Sequence, residues 1–185
     1  MKRLSRVAAL LIGAWLALAA GARPAAARDI SLGAYGGASI PVAQDDNGRG
    51  SLFGARLGVH VIPLLAFEPY YQSTSGGSKD QEIGGTTYTR DGVDVKAYGL
   101  NALLSFGGPF SIYPFAGIGK HKVTRDGDPD RTLTGFNGGL GIGISPMPGL
   151  RVDVRGEANA IRQDGFGRTT VNVTAGLSYR IFHMP

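Results

Sequence analysis

The chain has 185 residues, with 30 glycines, 10 prolines and no cysteine. That length fits one domain with an appendage, and the missing cysteines exclude disulfides, thiol catalysis and most structural zinc sites. The formal charge of +5 comes from 19 Lys and Arg against 14 Asp and Glu. Four of those basic residues, Lys2, Arg3, Arg6 and Arg23, lie in residues 1–27, which hold no acid, so residues 28–185 carry 15 minus 14, or +1. The basic balance is therefore concentrated in the leader, and nucleic acid is not an expected partner.

Residues 1–27 read as a signal peptide. Lys2, Arg3 and Arg6 form a basic start, and Val7 to Leu18 is an apolar run too short to span a bilayer. Ala25-Ala26-Ala27 then matches the A-x-A cleavage rule, and Ala20-Gly21-Ala22 fits it five residues earlier. Residues 28–185 are expected to form one domain.

No helix-period segment follows residue 28. Period-two alternation recurs instead, eight times, and residues two apart share a face of a strand. Strand one sets Ile30, Leu32, Ala34 and Ile40 against Ser31, Gly33, Tyr35, Gly37 and Ser39. Strand two sets Phe53, Ala55, Leu57, Val59 and Val61 against Gly54, Arg56, Gly58 and His60, and strand three Leu65, Phe67 and Tyr71 against Ala66, Glu68, Tyr70 and Gln72. Strand four, about 93–106, changes phase: Val93, Val95 and Ala97 share one, and Leu100, Ala102, Leu104 and Phe106 the other. A β-bulge near Ala97–Gly99 would account for this, as would first residues projecting beyond a bilayer. Strand five, about 110–123, sets Ile112, Ala116 and Ile118 against Tyr113, Phe115, Gly117 and Gly119.

In strand six, Phe136, Leu140, Ile142 and Ile144 alternate with glycines, Asn137 and Ser145. Strand seven sets Leu150, Val152, Val154, Ala158 and Ala160 against Arg151, Asp153, Arg155, Glu157 and Asn159. Strand eight sets Val171, Val173, Ala175, Leu177, Tyr179 and Ile181 against Thr170, Asn172, Thr174, Gly176, Ser178 and Arg180.

The connections alternate strictly in length. Ile62-Pro63-Leu64, Gly107-Gly108-Pro109 and Pro146-Met147-Pro148-Gly149 are tight, whereas about 42–50, 73–92, 124–131 and 162–169 are long and polar. Tight turns at one end and long loops at the other describe an all-β, eight-stranded antiparallel up-and-down transmembrane barrel. A soluble lipocalin-like binding barrel is the rival, with the faces inverted. The polar faces, rich in Gly, Ser and Asn with scattered charge, suit a narrow lumen better than a solvated exterior.

At these residues the chain resembles the outer-membrane β-barrel family of OmpA-type and opacity-protein-like eight-stranded barrels. Ala34-Tyr35-Gly36-Gly37-Ala38, Gly54-Ala55-Arg56-Leu57-Gly58, Tyr113-Pro114-Phe115-Ala116-Gly117-Ile118-Gly119, Gly138 to Ile144 and Leu177 to Phe182 carry the likeness. It implies a place in the outer membrane, contact with lipid and lipopolysaccharide, and insertion by the barrel-assembly machinery. That machinery reads a terminal alternating strand closing on an aromatic; here Phe182 is out of phase with Tyr179 and Ile181. No peptidoglycan-binding domain, and hence no cell-wall tether, is expected.

Within this frame Arg56, Glu68, Arg151, Asp153, Arg155, Glu157 and Arg180 are expected to pair across the lumen, since an isolated charge there is unfavourable. Lys120, His121, Lys122 and Arg125, at the outer end of strand five, are candidates for contact with lipopolysaccharide phosphates. Asp126, Asp128 and Asp130 imitate the start of a calcium loop, but Arg131 and Asn137 stand where Gly and Glu are needed. No cofactor and no catalysis are expected: of His60, His121 and His183 only His121 is near the outer rim, without an evident Ser partner. Phe106, Phe110, Tyr179 and Phe182 at one end, and Tyr71 and Phe136 at the other, would form sparse aromatic girdles. The expected role is structural or surface-interaction, with a narrow pore or lipid-active barrel as the alternative.

Overall fold

The computed structural model describes residues 28–42, 48–90, 92–125, 129–163 and 166–184. Eleven strand segments follow in order: β1 (Arg28–Pro41), β2 (Gly48–Ile62), β3 (Leu65–Gly77), β4 (Lys79–Ile83), β5 (Thr86–Arg90), β6 (Asp94–Leu104), β7 (Phe106–Gly107), β8 (Phe110–Thr124), β9 (Arg131–Met147), β10 (Leu150–Gln163) and β11 (Phe166–Met184). Eight staves, with β7 continuing β6, run β6-β3-β2-β1-β11-β10-β9-β8, and the β6–β8 pairing closes the ring. Closure leaves no unpaired edge, which a spanning sheet in lipid requires. Every neighbouring pair is antiparallel, and β1 meets β11 as the seam.

The faces divide as an outer-membrane barrel needs and opposite to a lipocalin. Large apolar side chains point outward, among them Phe136 at 64% exposure and Leu177 at 56%, while Asp153 is 2% exposed and Arg56 4%. In water such a band of exposed Leu, Ile, Val and Phe would far exceed what a soluble monomer shows. The soluble binding-barrel alternative is thereby overturned. Phe106, Phe110, Tyr179 and Phe182 are exposed at the tight-turn end, and Tyr71 and Phe136 toward the other, joined there by Phe53 and Tyr98.

Three details differ from expectation. β6 keeps one phase along its whole length, and its registers to β3 and β8 carry no bulge. Val93, Val95 and Ala97 simply face inward and are buried, so apolar residues occupy part of the lumen. The long 73–92 connection is largely structured: β3 runs on to Gly77, and β4 and β5 form a hairpin with Ile83 opposite Thr86. Its two-residue turn uses Gly84 (φ 62°) and Gly85 (φ 80°), the pair of positive φ angles that a tight hairpin demands. Finally, the β1–β11 register shifts between Ile30 and Ser31, so that Ile30 meets Phe182 while Ser31 meets Arg180. The extra residue, Ile181, is a bulge that resets the phase. It brings Phe182 onto the outer face, where Tyr179 and Leu177 already stand.

Candidate functional site

The described lumen has three levels. By the rule that tight turns face the periplasm and long loops the exterior, they are called periplasmic, middle and outer.

The middle level holds the charges. β3 and β10 are diametrically opposite staves, with three strands between them on either side. Arg155 on β10 reaches across the full diameter to Glu68 on β3, its Nη1 donating to Oε1 at 2.5 Å and its Nη2 to Oε2 at 2.7 Å. Two parallel bonds of this kind form the strongest arginine–carboxylate geometry. Arg56 Nη2 on β2 donates to Asp153 Oδ1 at 2.5 Å. Tyr113 OH donates to Asp153 Oδ2 at 2.5 Å and accepts from Arg155 Nε at 2.9 Å, tying the two pairs together. Arg56, Glu68, Asp153, Arg155 and Tyr113 are all buried. The Tyr113 ring lies where a side chain at position 141 would be, since a Cβ there would come within 2.2 Å of it. Gly141 thus makes room for the tyrosine that organises the network.

Glu157 follows two residues beyond Arg155 but takes amides instead of a guanidinium. Asn159 Nδ2 donates to it at 2.7 Å, Asn172 Nδ2 at 3.3 Å and Asn137 Nδ2 at 3.4 Å. Asn137 also donates to Asn101 Oδ1 at 2.8 Å, and Asn101 to Glu68 Oε1 at 3.4 Å, so the polar chain is continuous. Asn137, Asn159 and Asn172 stand on the polar faces that alternation assigns, whereas Asn101 falls in strand four, where the sequence leaves the phase open. Their signal is that inward carboxylates outnumber the guanidinium groups within reach, so neutral donors must supply the remainder.

Of the seven charges expected to share the lumen, Arg56, Glu68, Asp153, Arg155 and Glu157 occupy this middle level. Arg151 lies nearer the periplasmic end, its Nη2 donating to Ser111 Oγ at 2.9 Å and its guanidinium 4.4 Å from the Tyr113 ring centre. Arg180 belongs to the mouth itself, bonded at 3.1 Å to Asp29, which also pairs with His183.

The outer level is largely apolar. Leu52, Val93, Val95, Ala97, Leu133 and Ile161 are buried there with His121 and Arg168. A small cavity of about 20 Å³ lies beside His121, bordered by Ser39, Gln72, Asn159 and Asn172.

His121 corrects the expected outer-rim patch. Adjacent strand residues point to opposite faces, so Lys120 and Lys122 are exposed outside while His121 is 2% exposed inside. Lys120 Nζ donates to Thr134 Oγ1 at 2.9 Å, and Lys122 pairs with Asp130 at 2.6 Å. The hydrogen bond from Lys122, aided by one from Thr124, holds the Asp130 carboxyl below the usual carboxylate range. Arg125 follows β8 and is half-buried. The residue missed is Lys96, exposed on β6 directly opposite Lys122. Asp126 and Asp128 of the imitation calcium loop lie outside the described residues, as do residues 1–27. Among the described residues no group of three His, Asp or Glu is placed to hold a metal.

The comparisons agree with this architecture. Neisserial surface protein A has a similar structure: 16% identity over 82% of this chain and 97% of that one, with a TM-score of 0.66. The N-terminal β-barrel domain of Pseudomonas aeruginosa OprF gives 14% identity over 82% and 98%, with a TM-score of 0.53. Yersinia pestis Ail, in complex with the heparin analogue sucrose octasulfate, gives 18% over 84% and 98%, with a TM-score of 0.50. At such identities the likeness concerns the fold. No curated protein matches the sequence. The model of the outer membrane protein beta-barrel domain matches residues 7–180, and the chain therefore belongs to that family of outer-membrane barrels.

Proposed function

We propose that the protein is a closed, non-conducting outer-membrane barrel with a structural, surface-interaction role, its outer rim binding the phosphates of lipopolysaccharide. The observation that carries this reading is a cluster of three outward lysines on two neighbouring strands. Lys96 faces Lys122 directly across the β6–β8 pair, and Lys120 stands opposite Tyr98 one step below. Like charges directly opposite one another destabilise a strand pair, and among the described residues one carboxylate, Asp130, is ion-paired to them. A polyanion at the membrane surface relieves the repulsion. Tyr71, Tyr98, Ile118 and Phe136 lie exposed beside and beneath the lysines, at the level where aromatic belts meet headgroups.

The filled middle level supports the non-conducting part: an eight-stranded interior is just wide enough for side chains, and here an ion pair crosses its diameter. Export through a cleaved leader at residues 1–27 and insertion by the barrel-assembly machinery belong to the same proposal. The outward Phe182 supplies the terminal aromatic that such insertion reads.

The test is the boiling temperature at which the folded, faster-migrating gel form is lost. In vesicles containing lipid A the protein should resist higher temperatures than in phosphatidylcholine alone. Replacing Lys96, Lys120 and Lys122 together by Gln should abolish that difference. A triple variant protected as well as the parent overturns the rim assignment, and steady single-channel currents in planar bilayers overturn the sealed lumen.

A further inference from the structure

The periplasmic end of the barrel contains a feature that the proposed role at the opposite end does not use. Inward residues at the strand ends and residues of the tight turns line an open cavity of about 590 Å³, a size typical of small-molecule sites. Its polar wall carries Arg151, Arg180 and His60 with the hydroxyls of Ser31 and Ser178, and its rim is apolar, made by the turn residues Pro63, Pro109, Met147 and Pro148.

The charge in this cup is unbalanced. Among the described residues Asp29 is the one carboxylate lining it, and it is already bonded to Arg180 at 3.1 Å and to His183. Arg151 forms no ion pair among the described residues: its partners are a serine hydroxyl and an aromatic ring, and its Nε is buried without an acceptor. The nearest inward acid on its own strand, Asp153, is occupied by Arg56 and Tyr113. His60 Nδ1 also lacks a partner. The guanidinium has a made seat, because a Cβ at Gly143 would fall within 2.5 Å of its Nε and 3.0 Å of its Cζ. A half-buried cation with unmet hydrogen-bonding capacity is unfavourable until an anion satisfies it.

We propose that this periplasmic cup binds a small organic carboxylate, its carboxylate held by Arg151 beside the Ser31 and Ser178 hydroxyls and its apolar body resting on the proline turns. The planar fork of a single guanidinium matches a carboxylate, and the apolar rim favours a ligand with a hydrocarbon part over a bare inorganic anion.

The experiment titrates the full barrel in lipid nanodiscs with benzoate, benzyl alcohol and inorganic phosphate, read by calorimetry and by amide NMR. Benzoate should bind saturably at one site, at least tenfold more tightly than either comparison compound. Its perturbations should centre on Ser31, His60 and Ser178, with none at Lys120 on the outer rim. Arg151→Gln should weaken it at least tenfold, while its retained heat-modifiable gel shift shows that the barrel is folded. Should Arg151→Gln fail to fold, Gly143→Ala displaces the guanidinium from its seat without removing the charge and should weaken benzoate as well. Benzoate that does not saturate, that binds equally to both variants, or that shifts only outer-rim amides overturns the site. Phosphate binding as tightly as benzoate overturns the organic carboxylate in favour of a simple anion, and benzyl alcohol doing so overturns the role of Arg151.

Discussion

The middle and outer levels of the lumen fill the same tube by different physics. In the middle, Arg155 and Glu68 meet across the diameter with Arg56, Asp153 and Tyr113 locked around them. Each charge is tolerated because a specific partner stands at a specific distance, so the level has a single solution. At the outer level Leu52, Val95, Leu133 and Ile161 fill space by packing alone, which is non-directional and tolerates isosteric change. A narrow barrel can thus hold charge where facing strands supply its partners, and turns to aliphatic packing near the outer end. The contrast also explains why the two levels look so different in sequence: alternating charge on β10, and an apparent phase error on β6.

Substitutions at the two levels should separate these mechanisms. The largest effect is expected from Arg155→Ala, which strands Glu68 in the lumen and should destabilise the barrel by about 3–5 kcal/mol. Urea unfolding followed by the gel shift measures it. The double change Arg155→Met with Glu68→Leu should recover most of that loss, and a double variant no better than the single one would show that the pair is net stabilising. Leu52→Ala at the outer level should cost about 2–4 kcal/mol by leaving a cavity, whereas Leu52→Met should remain within about 1.5 kcal/mol of the parent. Equal damage from both would mean that the outer level is as geometrically specific as the middle.

Gly141→Ala pushes a methyl group into Tyr113, which its bonds to Asp153 and Arg155 keep from moving aside, and about 1–3 kcal/mol is expected by overpacking. Thermal loss of the folded gel form reports it. The smallest effect belongs to Asp130→Asn outside the barrel, where the exposed pair with Lys122 is weak. Because the folded carboxyl titrates below its unfolded value, its contribution is present above the ordinary carboxylate range and disappears as pH falls through the lowered value. Parent and variant should therefore differ slightly at neutral pH and converge in acid; a gap that widens in acid would contradict the pairing.

The sequence by itself determined the staves, their order and, except in strand four, which residues of each share the apolar side. Alternation at Val171–Ile181 or Leu150–Ala160 is a local property of the extended chain, and the alternation of tight and long connections follows from residues next to one another. The inward charges on β2, β3 and β10 were legible for the same reason. What only the tertiary structure decided is which of them meet. Glu68 and Arg155 are 87 positions apart, and nothing local says that their staves oppose. Closure likewise placed Lys96 opposite Lys122, turned Val93, Val95 and Ala97 inward without a bulge, and introduced the bulge at Ile181 that carries Phe182 outward. His121 is the reverse case: treating three adjacent residues as one patch ignored the two-residue period that every strand obeys. Periodicity is written along the chain, but partnership across a lumen depends on the register and circumference of a closed ring.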